Sequence, residues 1–276
     1  VTPPAHLLRD LLGPGARVVG ETSGEGGARA WHVVDADGVP LVVKVAPAAA
    51  VPALSLARSA RAQRAAADAG VPVARVRDAG TRGAWQHLVY ERVDGVPWRE
   101  VAPGLASVHR DRVRAGLTDV LDRLRRVTSP AAGDLDHPSS TVLEALRART
   151  RARIDDPARR AVAELVLDRH GGLFRADEPA VLVHGDLHHA NVLVRPTVEG
   201  WAVAAVLDWD SAWAGPADAD AARAALWDDM PGSPEPVDAR TAVHQLLWCL
   251  EHPGVTPRHR ADTDRLAAVL GVSPAG

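Results

Sequence analysis

The sequence predicts an α+β chain of two lobes, a small β-rich lobe over residues 1–93 and a larger, mainly helical lobe over residues 94–276. Three observations carry this reading. Short β-branched runs bounded by Gly and Asp turns crowd into the stretch before residue 94. From Leu105 onward, apolar residues recur mostly at helical spacing. A length of 276 residues fits one large domain or two lobes sharing a cleft, with ample material for a core.

Taken in order, Pro4 to Leu12 reads as a short amphipathic helix stopped by Gly13-Pro14-Gly15. Arg17-Val18-Val19-Gly20 and Ala30-Trp31-His32-Val33-Val34 read as strands on either side of a Gly-rich segment, Glu21 to Gly27. Asp35-Ala36-Asp37-Gly38 is a turn, and Leu41-Val42-Val43-Lys44-Val45 is the third strand. Val51 to Ala69 is an Ala/Arg-rich helix closed by Gly70 and Val71-Pro72. Val73 to Val76 and His87 to Tyr90 read as two more strands around a Gly80-Thr81-Arg82-Gly83 turn, and Asp94-Gly95-Val96-Pro97 ends the lobe.

Helices follow over Leu105–Val127, Ser140–Ile154 and Pro157–His170, with a Pro-, Gly- and Asp-rich loop from Ser129 to Ser139. Val181-Leu182-Val183 and Val192-Leu193-Val194 are apolar strands, and Ala202 to Leu207 returns through a Glu199-Gly200 hairpin turn. Further helices run over roughly Asp220–Trp227, Val237–Leu250 and Ala261–Leu270. Trp227, Trp248, Leu246, Leu247 and Leu250 are read as core.

Between those apolar strands stands a polar loop, His184-Gly185-Asp186-Leu187-His188-His189-Ala190-Asn191, with Leu207-Asp208-Trp209-Asp210 downstream. Asp186, Asn191 and Asp208 thereby sit at strand edges where they can converge. A carboxylate that accepts a hydroxyl proton, with an amide and a carboxylate oxygen for Mg²⁺, is what phosphoryl transfer asks of a protein. A zinc site built on His188 and His189 is disfavoured, because adjacent residues on a strand-loop point apart and no His-x₃-His set lies nearby. A serine hydrolase is disfavoured by the absence of a Gly-x-Ser-x-Gly elbow.

HGDLHHANVLV followed by LDWD resembles the catalytic loop and metal-binding turn of the aminoglycoside phosphotransferases, and through them the protein-kinase pattern H-R-D-x-x-x-x-N and D-F-G. The segment Gly215-Pro216-Ala217-Asp218-Ala219-Asp220-Ala221-Ala222 is similar to that family's Gly-Asp-Pro-x-x-Asp-Leu-Ala. The resemblance implies a protein-kinase-like two-lobed fold. It implies Asp186 as catalytic base, Asn191 and Asp208 as Mg²⁺ ligands, ATP or GTP as donor, and His184 and Asp220 as scaffold. On the nucleotide side it implies Lys44 at the phosphates, Thr22 and Ser23 as donors in the Gly-rich loop, and Glu91 to Val93 as a hinge whose backbone meets the base. The Gly-rich loop fits neither G-x-G-x-x-G, since Arg29 stands at the last Gly, nor the P-loop pattern.

Lys44 is the only lysine among 32 basic side chains. A composition this poor in lysine supplies Arg wherever a plain positive charge suffices, so Lys44 is read as needed for its compact ammonium. The family pairs this lysine with a glutamate on the following helix. This chain has none there: between Lys44 and Glu91 the only acids are Asp68 and Asp78, and Ser59 or Gln63 falls nearest the expected position, so Lys44 is expected to pair with Asp208 instead or activity to be reduced.

A net charge of −3 excludes a basic footprint and, with it, nucleic acid as partner. The single cysteine, Cys249, excludes an internal disulfide, and no run of 18 apolar residues occurs, so a cytoplasmic chain off the membrane, monomer or weak dimer, is expected. From Asp208 to Ala239 eight acids face one base, Arg223, a field that favours a small, hydroxylated, cationic acceptor such as an aminoglycoside. An antibiotic-resistance phosphotransferase is therefore the leading reading. A metabolic kinase of the choline, homoserine or sugar type and a catalytically weak pseudokinase, suggested by the absent helix glutamate, stay open.

Overall fold

The computed structural model describes residues 5–22, 27–50, 54–138, 140–226, 238–252 and 256–273. Helix α1 (Ala5–Leu12) precedes a five-stranded antiparallel sheet of β1 (Arg17–Thr22), β2 (Arg29–Val34), β3 (Pro40–Pro47), β4 (Val76–Arg82) and β5 (Trp85–Glu91), in the order β1-β2-β3-β5-β4. Alternation along β3 decides its two faces. Leu41, Val43 and Val45 join Leu7 of α1 in one apolar cluster. Ala46 turns to the other face, with Leu56 and Ala60 of α2 (Leu56–Asp68). Lys44 shares that second parity, so the same helix that covers the sheet also overlooks the lysine.

Helix α2 starts where Ser55 accepts the N–H of Arg58 and Gln86 accepts that of Leu56. It ends at Gly70, whose φ of +81° suits glycine. The strand expected at Val73–Val76 runs instead from Val76 to Arg82. Its polar sequence hides it, and an edge strand paired only to β5 tolerates that polarity. Val73 makes a lone parallel bridge to Val206, and Pro72 accepts the N–H of Val206.

The second part of the chain contains β6 (Val96–Pro97), α3 (Trp98–Val101), α4 (Ser107–Leu124), β7 (Thr128–Ser129), α5 (Val142–Arg153), α6 (Pro157–His170), β8 (Ala180–Val183), β9 (Val192–Thr197), β10 (Gly200–Val206), β11 (Trp213–Gly215), α7 (Ala219–Leu226), α8 (Ala239–Glu251) and α9 (Pro257–Val269). Two small sheets, β10-β9-β6 and β11-β8-β7, carry the polar loop between them. The helices pack mainly around Ile154, Leu167, Leu246, Leu250 and Leu266, all buried. Capping sets the helix starts more sharply than periodicity does. Thr141 and Glu144 form a capping box for α5, and Thr256 with Pro257 begins α9 four residues before the apolar pattern suggests. Trp248 is only partly buried against this core, and Trp227 lies outside the described residues. Among the described residues no helix is long and apolar enough to cross a membrane.

Leu187 anchors the polar loop in a second cluster with Leu124, Val192 and Trp209, and is 1% exposed. Leu187→Ala is expected to cost about 2–5 kcal/mol through lost burial and a residual cavity. Urea unfolding of the variant beside the parent measures this, and a cost below about 1 kcal/mol contradicts the anchoring.

Candidate active site

All four residues of β8 are buried, so the chain leaves the core at His184 with no freedom to drift. His184 is fully buried; its Nδ1 accepts the N–H of Asp186, and its Nε2–H donates to Leu207 O at 2.8 Å. Those two bonds choose the tautomer. Its ring meets Trp209 edge-on at 4.7 Å. The buried carboxylate of Asp220 accepts the N–H of His184 at 2.7 Å and of Gly185 at 2.9 Å. Gly185 has φ of +80°, and a Cβ there would stand 2.4 Å from Ser211 O, so only glycine fits.

Asp186 emerges at the tip. Its Oδ1 accepts two bonds from the Arg223 guanidinium, Nε at 3.1 Å and a terminal nitrogen at 2.9 Å. Burial pushes the Asp186 carboxyl up, but Arg223 and the nearby imidazoles outweigh it and hold it below the usual aspartate range. Burial pushes Arg223 down to about 10 despite Asp186, which leaves it charged at neutral pH. The guanidinium also lies 3.6 Å from the Trp248 ring centroid. His188 stands 3.6 Å from the other Asp186 oxygen, and burial, with Arg223 and two histidines, pushes it down to about 3. It is therefore neutral at physiological pH.

Asn191 is tied to Asp186 through its amide nitrogen, 3.0 Å from the backbone oxygen and 3.4 Å from Oδ2. Because β9 and β10 pair Val192 with Val206, Asn191 falls opposite Leu207, and its O accepts the Leu207 N–H at 2.8 Å. Asp208 follows immediately in a left-handed conformation, φ +63°. Its Oδ1 takes Lys44 Nζ at 2.8 Å, and Asp210 Oδ2 takes the same ammonium at 2.5 Å. Burial alone would push Lys44 down, but Asp210 and Asp208 outweigh it and raise its pKa. Asn191 and Asp208 together offer an amide and a carboxylate. That sparse oxygen set fits Mg²⁺, which keeps waters and takes substrate phosphates as further ligands. Among the described residues there is no group of three or more His, Cys, Asp or Glu side chains disposed to hold a metal.

On the nucleotide side, the Glu91 carboxylate faces Arg77 and Arg75, so only its backbone is available for a hinge role. The N–H of Glu91 goes to Arg75 O and that of Arg92 to Pro40 O. Val93 follows in the connection to β6. Thr22 ends β1, and Ser23 lies outside the described residues. Arg223 is the contact to Asp186 that motif reading did not assign. Its signal was present, as the one base in the acid-rich stretch and three residues past Asp220 on one helix face.

The model of the phosphotransferase enzyme family matches residues 21–255. The chain belongs to that family. No curated protein matches it. A thermostable aminoglycoside phosphotransferase APH(4)-Ia mutant, solved with AMP-PNP and hygromycin B, is 19% identical with a TM-score of 0.68, each chain covered to 98%. A putative fructosamine-3-kinase from Thermobifida fusca YX-ER1 is 24% identical with a TM-score of 0.66, covering 98% of this chain and 99% of its own. An aminoglycoside-3'-phosphotransferase of type VIII is 25% identical with a TM-score of 0.53, covering 95% and 97%. The phosphotransferase thus has the kinase-like fold that the loop motif implied, a β-rich first part and a helical second part.

The pairing of Asp186 with Arg223 makes a prediction for this phosphotransferase. Because the folded carboxyl is held below its ordinary value, it contributes stability above about pH 4, lost as pH falls through the folded value. Arg223→Leu keeps the burial and removes the cation, so the carboxyl moves above its ordinary value and its ionisation opposes folding as pH rises. The variant should be about 3–5 kcal/mol less stable at pH 7.5, with a smaller deficit at pH 4.5. Urea titrations at both pH values read this, and a deficit independent of pH would assign the effect to the lost Trp248 contact alone.

Proposed function

We propose that this family member is a nucleotide-dependent O-phosphotransferase of ATP or GTP that phosphorylates a hydroxyl of a small molecule. The observation that carries the reading is the run of contacts from Asp186 to Asn191, from Asn191 O to the Leu207 N–H next to Asp208, and from Asp208 to Lys44, one carboxylate on the acceptor side and an oxygen pair with a cation on the nucleotide side. Asp186, ionised at neutral pH, orients the acceptor hydroxyl and takes its proton late. The acceptor oxygen bonds to the γ-phosphorus as the bond to the β-phosphate oxygen breaks and the nucleoside diphosphate leaves. Asn191 and Asp208 are the residues to hold Mg²⁺, which when bound neutralises phosphate charge. Lys44 adds its ammonium from the β3 side. Glu91 and Val93 backbone groups meet the base, and Thr22 and Ser23 cover the phosphates.

For the acceptor, the acid-rich stretch 208–239 supports an amine-bearing antibiotic, and with it a resistance role. Part of that field is already used. Asp218 is bound by Arg240 and His244, Asp220 by backbone N–H groups, and Asp210 by Lys44. The cationic reading therefore leans on Asp228, Asp229 and Glu235, which lie outside the described residues. A second reading, a metabolic acceptor without excess positive charge, is favoured by the cleft beside the catalytic loop. Arg149 and Arg223 line it with Glu251, Trp213 and Trp248, and Arg149 and Arg153 both engage the Glu251 carboxylate. The pseudokinase alternative loses force because Lys44 has carboxylate partners without a helix glutamate. A cytoplasmic monomer or weak dimer accords with this reading.

Turnover of Mg-ATP and Mg-GTP against aminoglycosides, choline, homoserine and sugars tests the proposal and ranks the two acceptor readings. Asp186→Asn is expected to lower transfer by about 10²–10⁴-fold while Mg-nucleotide binding persists. Near-parental turnover by that variant on an accepted substrate removes Asp186 from the role of base.

A further inference from the structure

Lys44 stands on a face covered by helix α2, whose one acid, Asp68, is the helix's last residue. Ser59 stands in the first turn of α2, is fully buried, and has no carboxylate to offer the ammonium. Its hydroxyl lies 3.1 Å from Ser55 O and closer, 2.8 Å, to Asp210 Oδ1, to which it donates, while the other oxygen of that carboxylate takes Lys44 Nζ at 2.5 Å. Asp210 therefore bridges helix and strand, one oxygen to each.

We infer that Asp210, seated by Ser59, is the positioning residue that holds Lys44 for phosphoryl transfer, in place of a carboxylate from the helix. The inference rests on the phosphotransferase reading. Asp208 also touches Lys44, but its side chain is 43% exposed and that reading commits it to Mg²⁺. Asp210 is 21% exposed, and the turn that carries it is fixed on both sides. Trp209 is buried, its indole N–H donates to Val206 O, and its ring packs on His184. When Asp208 turns to the metal, Asp210 keeps the ammonium aimed at the phosphates. The lysine's restraint and the metal ligand thus sit two residues apart on one rigid turn. Ser59 acts only through Asp210, as a hydroxyl that fixes a carboxylate arriving from the opposite side of the cleft.

The test compares Mg-nucleotide binding and nucleoside diphosphate release, with water as acceptor until a better one is found. The chains are the parent, Asp210→Ala, Asp210→Asn, Ser59→Ala and the Ser59→Ala/Asp210→Ala double variant, each checked for folding by thermal unfolding. Loss of alignment should lower kcat of both Asp210 variants by about 100-fold at saturating Mg²⁺, with nucleotide affinity changed far less. Ser59→Ala should lose about tenfold and should add nothing once Asp210 is absent. Ser59→Glu in the Asp210→Ala background should recover part of the lost turnover, because the helix then supplies the carboxylate. Parental turnover in a folded Asp210 variant, multiplying losses in the double variant, or full recovery of Asp210→Ala by added Mg²⁺ alone would each overturn the inference. No Mg-nucleotide binding by the parent chain would overturn the phosphotransferase reading and this inference with it.

Discussion

The Asp220 carboxylate accepts the N–H groups of His184 and Gly185, and the placement of the polar loop follows from those two bonds. Strand β8 ends inside the core, where a turning backbone would otherwise bury two donors without partners, at a cost of about 1–3 kcal/mol each. With Asp220 in place, the chain makes its turn at Gly185 and delivers Asp186 to the cleft. His184 continues the scaffold by bonding Leu207 O, which fixes the loop against the end of β10. One buried acid thus relates the loop, the hairpin and α7 to one another.

The same geometry governs charge. Asp186 is half-buried against the buried Arg223, and each offsets part of the other's desolvation. A carboxylate kept ionised by a fixed cation is weakly basic, which, in the role proposed for Asp186, suits proton uptake late in a loose phosphoryl transfer better than early abstraction. On the other side of Asn191, Lys44 is held between two carboxylates of a single turn. The site therefore has a cation at each end and acids between them, from Arg223 through Asp186 and Asp208 to Lys44.

The acceptor side shows how counting charge along a sequence differs from summing it in space. Eight acids against one base between Asp208 and Ala239 suggest a strongly negative surface. In the fold, Arg240 spans Asp218 and Glu178, and Arg149 and Arg153 enclose Glu251 from a different helix. Arg240 stands just past that stretch and Lys44 lies far from it, and between them they take Asp218, Asp208 and Asp210 before any ligand arrives.

The sequence by itself determined the order of the longer strands and helices, though not the short β6, α3, β7 and β11, and with it the helical second part, the His184–Asn191 loop and the family, because periodicity and motif spacing act over short stretches of chain. It placed Pro157–His170 to the residue and missed the bounds of β4, whose polar residues are acceptable only at a sheet edge. It registered that α2 lacks a glutamate, named Ser59 or Gln63 as nearest that place and offered Asp208 as the replacement partner of Lys44, which the fold bears out, yet it did not find Asp210. Only tertiary structure decided that Asp210 meets both Ser59 and Lys44, and that Arg223 closes on Asp186. Lys44 and Asp210 lie 166 residues apart in the chain. Such contacts depend on strand register and helix placement, which many distant residues set together and no local pattern records.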